Sequence, residues 1–187
     1  MSDFDFKADD YVVYPTHGVG KVLGIEKEDI GGTEVELIVV RFDSERMTLR
    51  VPTFKLPTSG LRKLSSGTMM DDAMNILKGK PRVKRTMWSR RAQEYEAKIN
   101  SGDPIQIAEV VRDLHRNSEQ PEQSFSERQI FENALARFTR EVAAVRRCDE
   151  TEANTQIMAI LRPVQAETDA DTDGQDGKDK DETAEAA

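Results

Sequence analysis

The chain has 187 residues and a formal net charge of -8, with 37% hydrophobic and 33% charged residues, which suits one or two small globular domains. A single cysteine, Cys148, excludes an intramolecular disulfide framework. No stretch reaches the ~18 apolar residues of a membrane span, and Asp3, Asp5, Asp9 and Asp10 stand where a signal peptide would be apolar. We therefore expect a cytoplasmic protein with no membrane partner.

The first sixty-odd residues read as β. Tyr11–Tyr14 stops at Pro15, and Gly18 and Gly20 introduce a second strand over Lys21–Glu26. The turn Asp29-Ile-Gly-Gly-Thr33 joins it to Glu34–Phe42, its double glycine able to supply the positive φ of a tight hairpin. Met47–Val51 follows, ended by Pro52, with Thr48 and Arg50 on one face and Met47, Leu49 and Val51 on the other. Leu61–Leu64 supplies a fifth short strand. Without intervening helices to make parallel crossovers, these strands point to a small curled barrel of the SH3/Tudor kind.

From Thr68 the period becomes helical. A short helix over Met69–Leu77, with Asp71 and Asp72 at its start, breaks at Gly79 and Pro81. The next runs from Met87 to about Ile99. Asp103-Pro104 gives an N-cap with proline at the first helical position and Gln106 at the capping-box position, opening a helix with Ile107, Val110, Val111 and Leu114 on one face. A polar loop over 117–123 precedes a second capping box, Ser124 to Glu127, and the amphipathic series Phe131, Leu135, Phe138, Val142 and Val145. A last helix, Glu152–Leu161, is expected to end before Pro163. Residues 163–187 hold nine acidic residues against two lysines, a net of -7, which leaves only -1 for residues 1–162. With no aromatic and almost no apolar residues, this acidic tail is expected to be disordered.

Catalytic constellations are missing. His17, in a turn, and His115, near a helix end, have no metal-ligand partner nearby in sequence, and Gly18-Val-Gly20 is too short for a dinucleotide fingerprint and precedes no helix. No enzyme activity, cofactor or metal is expected.

The most informative stretch surrounds the one tryptophan. From Lys78 to Lys98 there are eight basic residues, among them Lys84, Arg85, Arg90 and Arg91, against Glu94 and Glu96. Cations suit phosphates, and an exposed aromatic ring can wedge into a base step. Two placements of Trp88 are open. With Ala92, Tyr95 and Ile99 it continues an apolar helical stripe toward the core. With Ser89 as N-cap it would stand just outside the helix, and burying it would drag its cationic neighbours inside at a cost of several kcal/mol each.

Four motifs in order, Asp10-Tyr-Val-Val-Tyr-Pro-Thr-His-Gly-Val-Gly20, Leu49-Arg-Val-Pro52, Met87-Trp-Ser-Arg-Arg91 and Ser101-Gly-Asp103 with Ala108-Glu-Val-Val-Arg-Asp-Leu114, resemble the CarD/CdnL transcription regulators of bacteria over roughly residues 5–160. The resemblance implies a Tudor-like module binding the β subunit of RNA polymerase and a helical domain touching promoter DNA. It implies that Trp88 wedges into the minor groove at the upstream edge of the −10 element and stabilises the open complex, that Arg90 contacts the DNA backbone, and that Arg50 holds polymerase. Mycobacterial relatives carry a second polymerase-contacting arginine just after the second strand; here Glu28 takes that position with Lys27 beside it. The N-terminal module also resembles the polymerase-binding module of transcription-repair coupling factors, although translocase motifs are missing.

The resulting expectation is an α+β chain in two domains: a polymerase-binding SH3/Tudor-like β-barrel module over 1–64, an all-helical DNA-contacting domain over 65–162, and a tail over 163–187. The expected DNA-contacting set is Trp88, Lys84, Arg85, Arg90 and Arg91; the expected polymerase contacts are Arg50 and Lys27. A monomer without cofactor is expected. The alternative is a protein-only polymerase adaptor whose basic helix never meets DNA.

Overall fold

A computed structural model describes residues 6–115 and 123–172, with side chains through Arg162. The N-terminal part is one antiparallel sheet of β1 (Tyr11–Tyr14), β2 (Gly18–Ile30), β3 (Thr33–Phe42), β4 (Met47–Pro52) and β5 (Arg62–Lys63), in the order β4-β3-β2-β1-β5. Gly31 and Gly32, at φ 66° and 84°, turn β2 into β3, with Ile30 opposite Thr33. Two successive positive φ angles are what a two-residue turn needs to match the strand twist. The hairpin is longer than the sequence suggests: β2 runs past Glu26 to Ile30, so Lys27 and Glu28 lie inside the strand and not after it. Regular cross-strand pairing of Glu26, Lys27 and Glu28 with Leu37, Glu36 and Val35 keeps this polar stretch extended.

Val12, Val22, Ile38, Val40, Phe42 and Val51 form the sheet's core, closed by Phe6, Leu56 and Leu61. Leu56 belongs to α1 (Leu56–Ser59), a single turn between β4 and β5. The interior strand β3 is buried on both faces over Leu37–Val40, because Leu37 and Val39 are covered like Ile38 and Val40.

The helical part comprises α2 (Gly67–Ile76), α3 (Trp88–Asn100), α4 (Pro104–Leu114), α5 (Phe125–Arg146) and α6 (Glu150–Thr172). Its core is built by Met70, Leu77, Ile99, Val110, Phe138 and Ile157 from all five helices, Leu77 standing at the α2 C-cap. The order of sheet then helices bears out an α+β chain. The Ser124–Glu127 capping box forms as expected. At α4, Asp103 caps through its carboxylate and Pro104 opens the helix, yet the reciprocal half of that capping box is missing: the Asp103 N–H donates to Ser101 Oγ, so Gln106 reaches the Asp103 carboxylate instead.

Two helix boundaries correct the sequence reading. Ser89 is not the N-cap of α3; Met87 is, with extended backbone angles, and Trp88 is the first helical residue. The last helix continues through Pro163 to Thr172. An internal proline forfeits one backbone hydrogen bond and costs about 3 kcal/mol, which does not forbid a helix already propagating from upstream turns. The polar loop lies almost wholly outside the described residues, as does the tail beyond Thr172.

Candidate nucleic-acid interface

The basic segment hangs between α2 and α3, and a buried ion pair on α4 moors it. Asp113, almost fully buried, accepts from the Arg82 backbone N–H at 2.9 Å while holding the Arg112 guanidinium at 2.7 Å. From that anchor the chain passes through exposed Val83, Lys84, Arg85 and Thr86 to the start of α3. A fixed backbone at Arg82 limits where the following cations can stand.

Trp88 continues the helical stripe, as the first of its two expected placements has it, but is not fully buried. Its ring meets Tyr95 at a centroid distance of 6.5 Å and packs against the helical core, so the stripe through Ala92, Tyr95 and Ile99 is real. Yet Tyr95 and Ile99 are buried, whereas Trp88 is only half-buried. Two of its neighbours escape the expected desolvation cost because the ring goes partly inside while they stay out: the side chains of Lys84 and Arg90 are 68% and 76% exposed. Met87, just before the ring, is more exposed still at 79%.

The α3 N-terminus is poorly satisfied by the protein itself. Its N-cap provides no side-chain hydrogen bond and its first turn carries no acidic residue, only Arg90 and Arg91. Basic groups at that end oppose the helix macrodipole, which favours an anion there. The nearest internal compensation is Glu94, one turn on. Lys84 Nζ donates to it at 2.7 Å and Arg90 Nε lies 4.0 Å away, and the Lys84 hydrogen bond, followed by the charges of Lys84, Arg90 and Lys98, holds its carboxyl below the ordinary range.

Arg91 behaves differently from the other expected contacts. Its guanidinium carbon stands 5.5 Å from the Trp88 ring centroid, one terminal nitrogen lies 4.0 Å from Glu127 on α5, and its side chain is only 22% exposed. Among the described residues Arg85 has neither an ion pair nor a hydrogen bond, and it is exposed.

The structure thus gathers Trp88, Lys84, Arg90 and Arg91 at one helix entrance. It does not gather Arg50 and Lys27. Arg50 pairs across the ladder with Val39, and Glu26 with Leu37, so both belong to the Leu37–Val39 face. There Arg50 Nε contacts Glu26 at 3.2 Å. Lys27 pairs with Glu36 on the opposite face and holds Glu34 at 2.8 Å, a hydrogen bond that raises its pKa. Strand β4, carrying Arg50, is also an edge of the sheet, with backbone groups open to a partner.

Sequence reasoning missed the partners that shape this site. Glu94 carried one readable signal, its i,i+4 spacing from Arg90. Glu127 and Asp113 carried none, because they arrive from α5 and α4 by tertiary packing.

Comparison with known proteins agrees with the division into sheet and helices. Residues 6–65 match the family described as CarD-like/TRCF RID domain, and residues 72–158 match the CarD C-terminal domain. The chain is 30% identical over 129 residues to the Bacillus subtilis (strain 168) protein named "Putative transcription factor YdeB", covering 69% of this chain and 84% of that protein.

Proposed function

The chain belongs to the CarD/CdnL family of transcription regulators, and from that premise we propose that it bridges RNA polymerase and promoter DNA. The sheet binds the polymerase β subunit, with Arg50 on the β4 edge as its main contact. The entrance of α3 meets DNA just upstream of the −10 element. There Trp88 enters the minor groove, and Arg90, Lys84 and Arg85 face phosphates. The protein acts in the cytoplasm, as a monomer and without enzymatic chemistry.

One observation carries this reading: a half-buried ring stands at an uncapped helix N-terminus whose first turn is basic and free of acid. A ring seated on Tyr95 is firmly based, and its outer part is available to a base step. Apolar side chains unstack and kink a duplex from the minor groove, most easily at flexible steps. Phosphate contacts position a protein without reading sequence, so affinity for DNA alone is weak and specificity comes from polymerase. The factor stabilises the open complex by binding it better than the closed one.

The adaptor reading also has an observation in its favour. Lys84 and Arg90 already converge on Glu94, and Arg91 approaches Glu127, which is how a purely structural charge cluster would look. The decisive experiment measures open-complex lifetime with the wild type and with Trp88→Ala. The bridging reading expects the variant to bind polymerase normally and to lose the lifetime gain. An unchanged lifetime, or a variant that no longer folds, defeats the wedge.

A further inference from the structure

The motif Tyr14-Pro-Thr-His-Gly18 contributes nothing to either contact surface described above, yet it lies where the sheet meets the helices. Arg137 on α5 donates from one terminal nitrogen to the Pro15 carbonyl at 2.8 Å and from the other to the Thr16 carbonyl at 2.5 Å. The Pro15 ring is closely confined: a Cβ at Gly60 would come within 2.7 Å of Pro15 Cγ, and one at Gly102 within 3.2 Å of Pro15 Cα. Gly60 belongs to the sheet module and Gly102 to the α3–α4 turn, so one proline is gripped from both sides.

One turn after Arg137, Glu141 makes the second half of the joint. Its side chain is 3% exposed, and its carboxylate accepts from both terminal nitrogens of Arg62 at 2.8 and 3.0 Å and from Ser65 Oγ at 2.7 Å. Arg62 lies on edge strand β5 and also donates through Nε to the Gly102 carbonyl at 3.1 Å. A carboxylate so deeply placed is tolerated only with such full pairing. The covalent link between sheet and helices is only Leu64–Ser66. It limits how far apart they stand and leaves their angle to these bonds. Beside α5, an open cleft of about 1180 Å³, lined among others by Lys21, Arg41, Arg140 and Arg147, leaves room for a pivot.

We propose that Arg137 and Glu141 are positioning residues: one turn apart on α5, they lock the sheet at one angle to the helical domain, so that the β4 edge and Trp88 engage polymerase and DNA together. This deepens the bridging reading and rests on it. Two tethered contacts reinforce each other only when the spacer matches the span between their targets. The sheet and α3 are held at a fixed separation by bonds that touch neither partner.

The test uses the full-length chain with Cys148→Ser and spin labels at Glu28→Cys on the sheet and Glu96→Cys on α3, with and without Arg137→Ala. In parallel, unlabelled protein with Arg137→Ala is measured for affinity to polymerase without DNA and for open-complex lifetime. The lock predicts a broadened distance distribution in the free chain, polymerase affinity within about twofold, and a several-fold loss of lifetime gain. Arg137→Lys, which keeps the charge but cannot span both carbonyls, replaces the alanine variant if that fails to fold. It should show the same broadening and the same loss. A distribution as narrow as wild type, or an unchanged lifetime beside a sensitive Trp88→Ala control, overturns the proposal. If Trp88→Ala itself has no effect, the wedge reading has failed, and the distance distribution alone still decides whether Arg137 fixes the angle.

Discussion

Arg91 stands over the Trp88 ring with its guanidinium carbon 5.5 Å from the centroid, while its other flank approaches Glu127. An arginine so placed supports the ring more than it reaches outward, and a cation–π contact of this kind contributes about 0.5–1 kcal/mol where partly exposed. Arg90, the residue before it, has a side chain 76% exposed, with Glu94 4.0 Å away, and has no such duty.

These two neighbours should therefore fail differently. Arg91→Ala is expected to shorten open-complex lifetime with little change in its salt dependence, because an ordered ring is lost and no phosphate contact is. Arg90→Ala should lower the slope of log affinity against log salt by up to ~0.9, the value for one phosphate contact on duplex DNA. Lifetimes across a salt series give both numbers. Equal slopes for the two variants would return Arg91 to the phosphate-contacting set.

Glu94 restrains the patch. It draws Lys84 and approaches Arg90, and the Lys84 hydrogen bond and the surrounding cations hold its carboxyl below the ordinary range. Glu94→Gln removes the negative charge and leaves a side chain of similar shape. The expected outcome is tighter, more salt-sensitive promoter binding in the presence of polymerase, by up to ~0.9 in slope for each cation released to a phosphate. Weaker binding would mean that Glu94 orients these cations and does not compete for them.

How much of this was legible in the sequence varies with range. Gly31-Gly32 announced a two-residue turn, and the alternation of Thr48 and Arg50 with Met47, Leu49 and Val51 gave the faces of β4, since both signals are local. The stripe Trp88–Ile99 was legible too, but not the degree of burial at its end, which depends on Tyr95 beneath the ring and Arg91 above it. Ser89 misled because serine is a common N-cap, whereas the helix starts two residues earlier, with Met87 as N-cap and Trp88 packed on the core. Lys27 and Arg50 were expected to share one partner, but only the register could show that they lie on opposite faces of the sheet. The Arg82–Asp113, Arg91–Glu127 and Arg62–Glu141 contacts were invisible because each joins residues far apart in the chain.

Gly20 offers a clean measure of sheet packing. A Cβ there would come within 2.6 Å of Phe42 and 2.7 Å of Val40, both fully buried. Gly20→Ala should cost about 1–3 kcal/mol, as overpacking a filled core does. Gly67→Ala, at the start of α2 with open space around it, should be neutral or slightly stabilising. Denaturant unfolding of the two variants beside wild type checks the contrast, and equal midpoints would show that the Val40–Phe42 contact is loosely packed.

His115 gives the fold a dependence on pH. The ring is buried at the end of α4, faces Phe131 at 5.9 Å, and is held below its ordinary pKa of 6.5, first by burial and then by the charge of Arg162. Well above pH 6.5 the ring is neutral in both folded and unfolded chains and contributes no slope. As the pH falls through that value the unfolded chain takes up a proton that the folded one resists, so the folded state loses stability until its own lowered pKa is passed. Denaturant unfolding at a series of pH values from neutral downward should show this decline, and His115→Gln should flatten it, whatever that substitution does to stability at neutral pH. If the slope below pH 6.5 survives in His115→Gln, the acid sensitivity arises from the carboxylates and not from this ring.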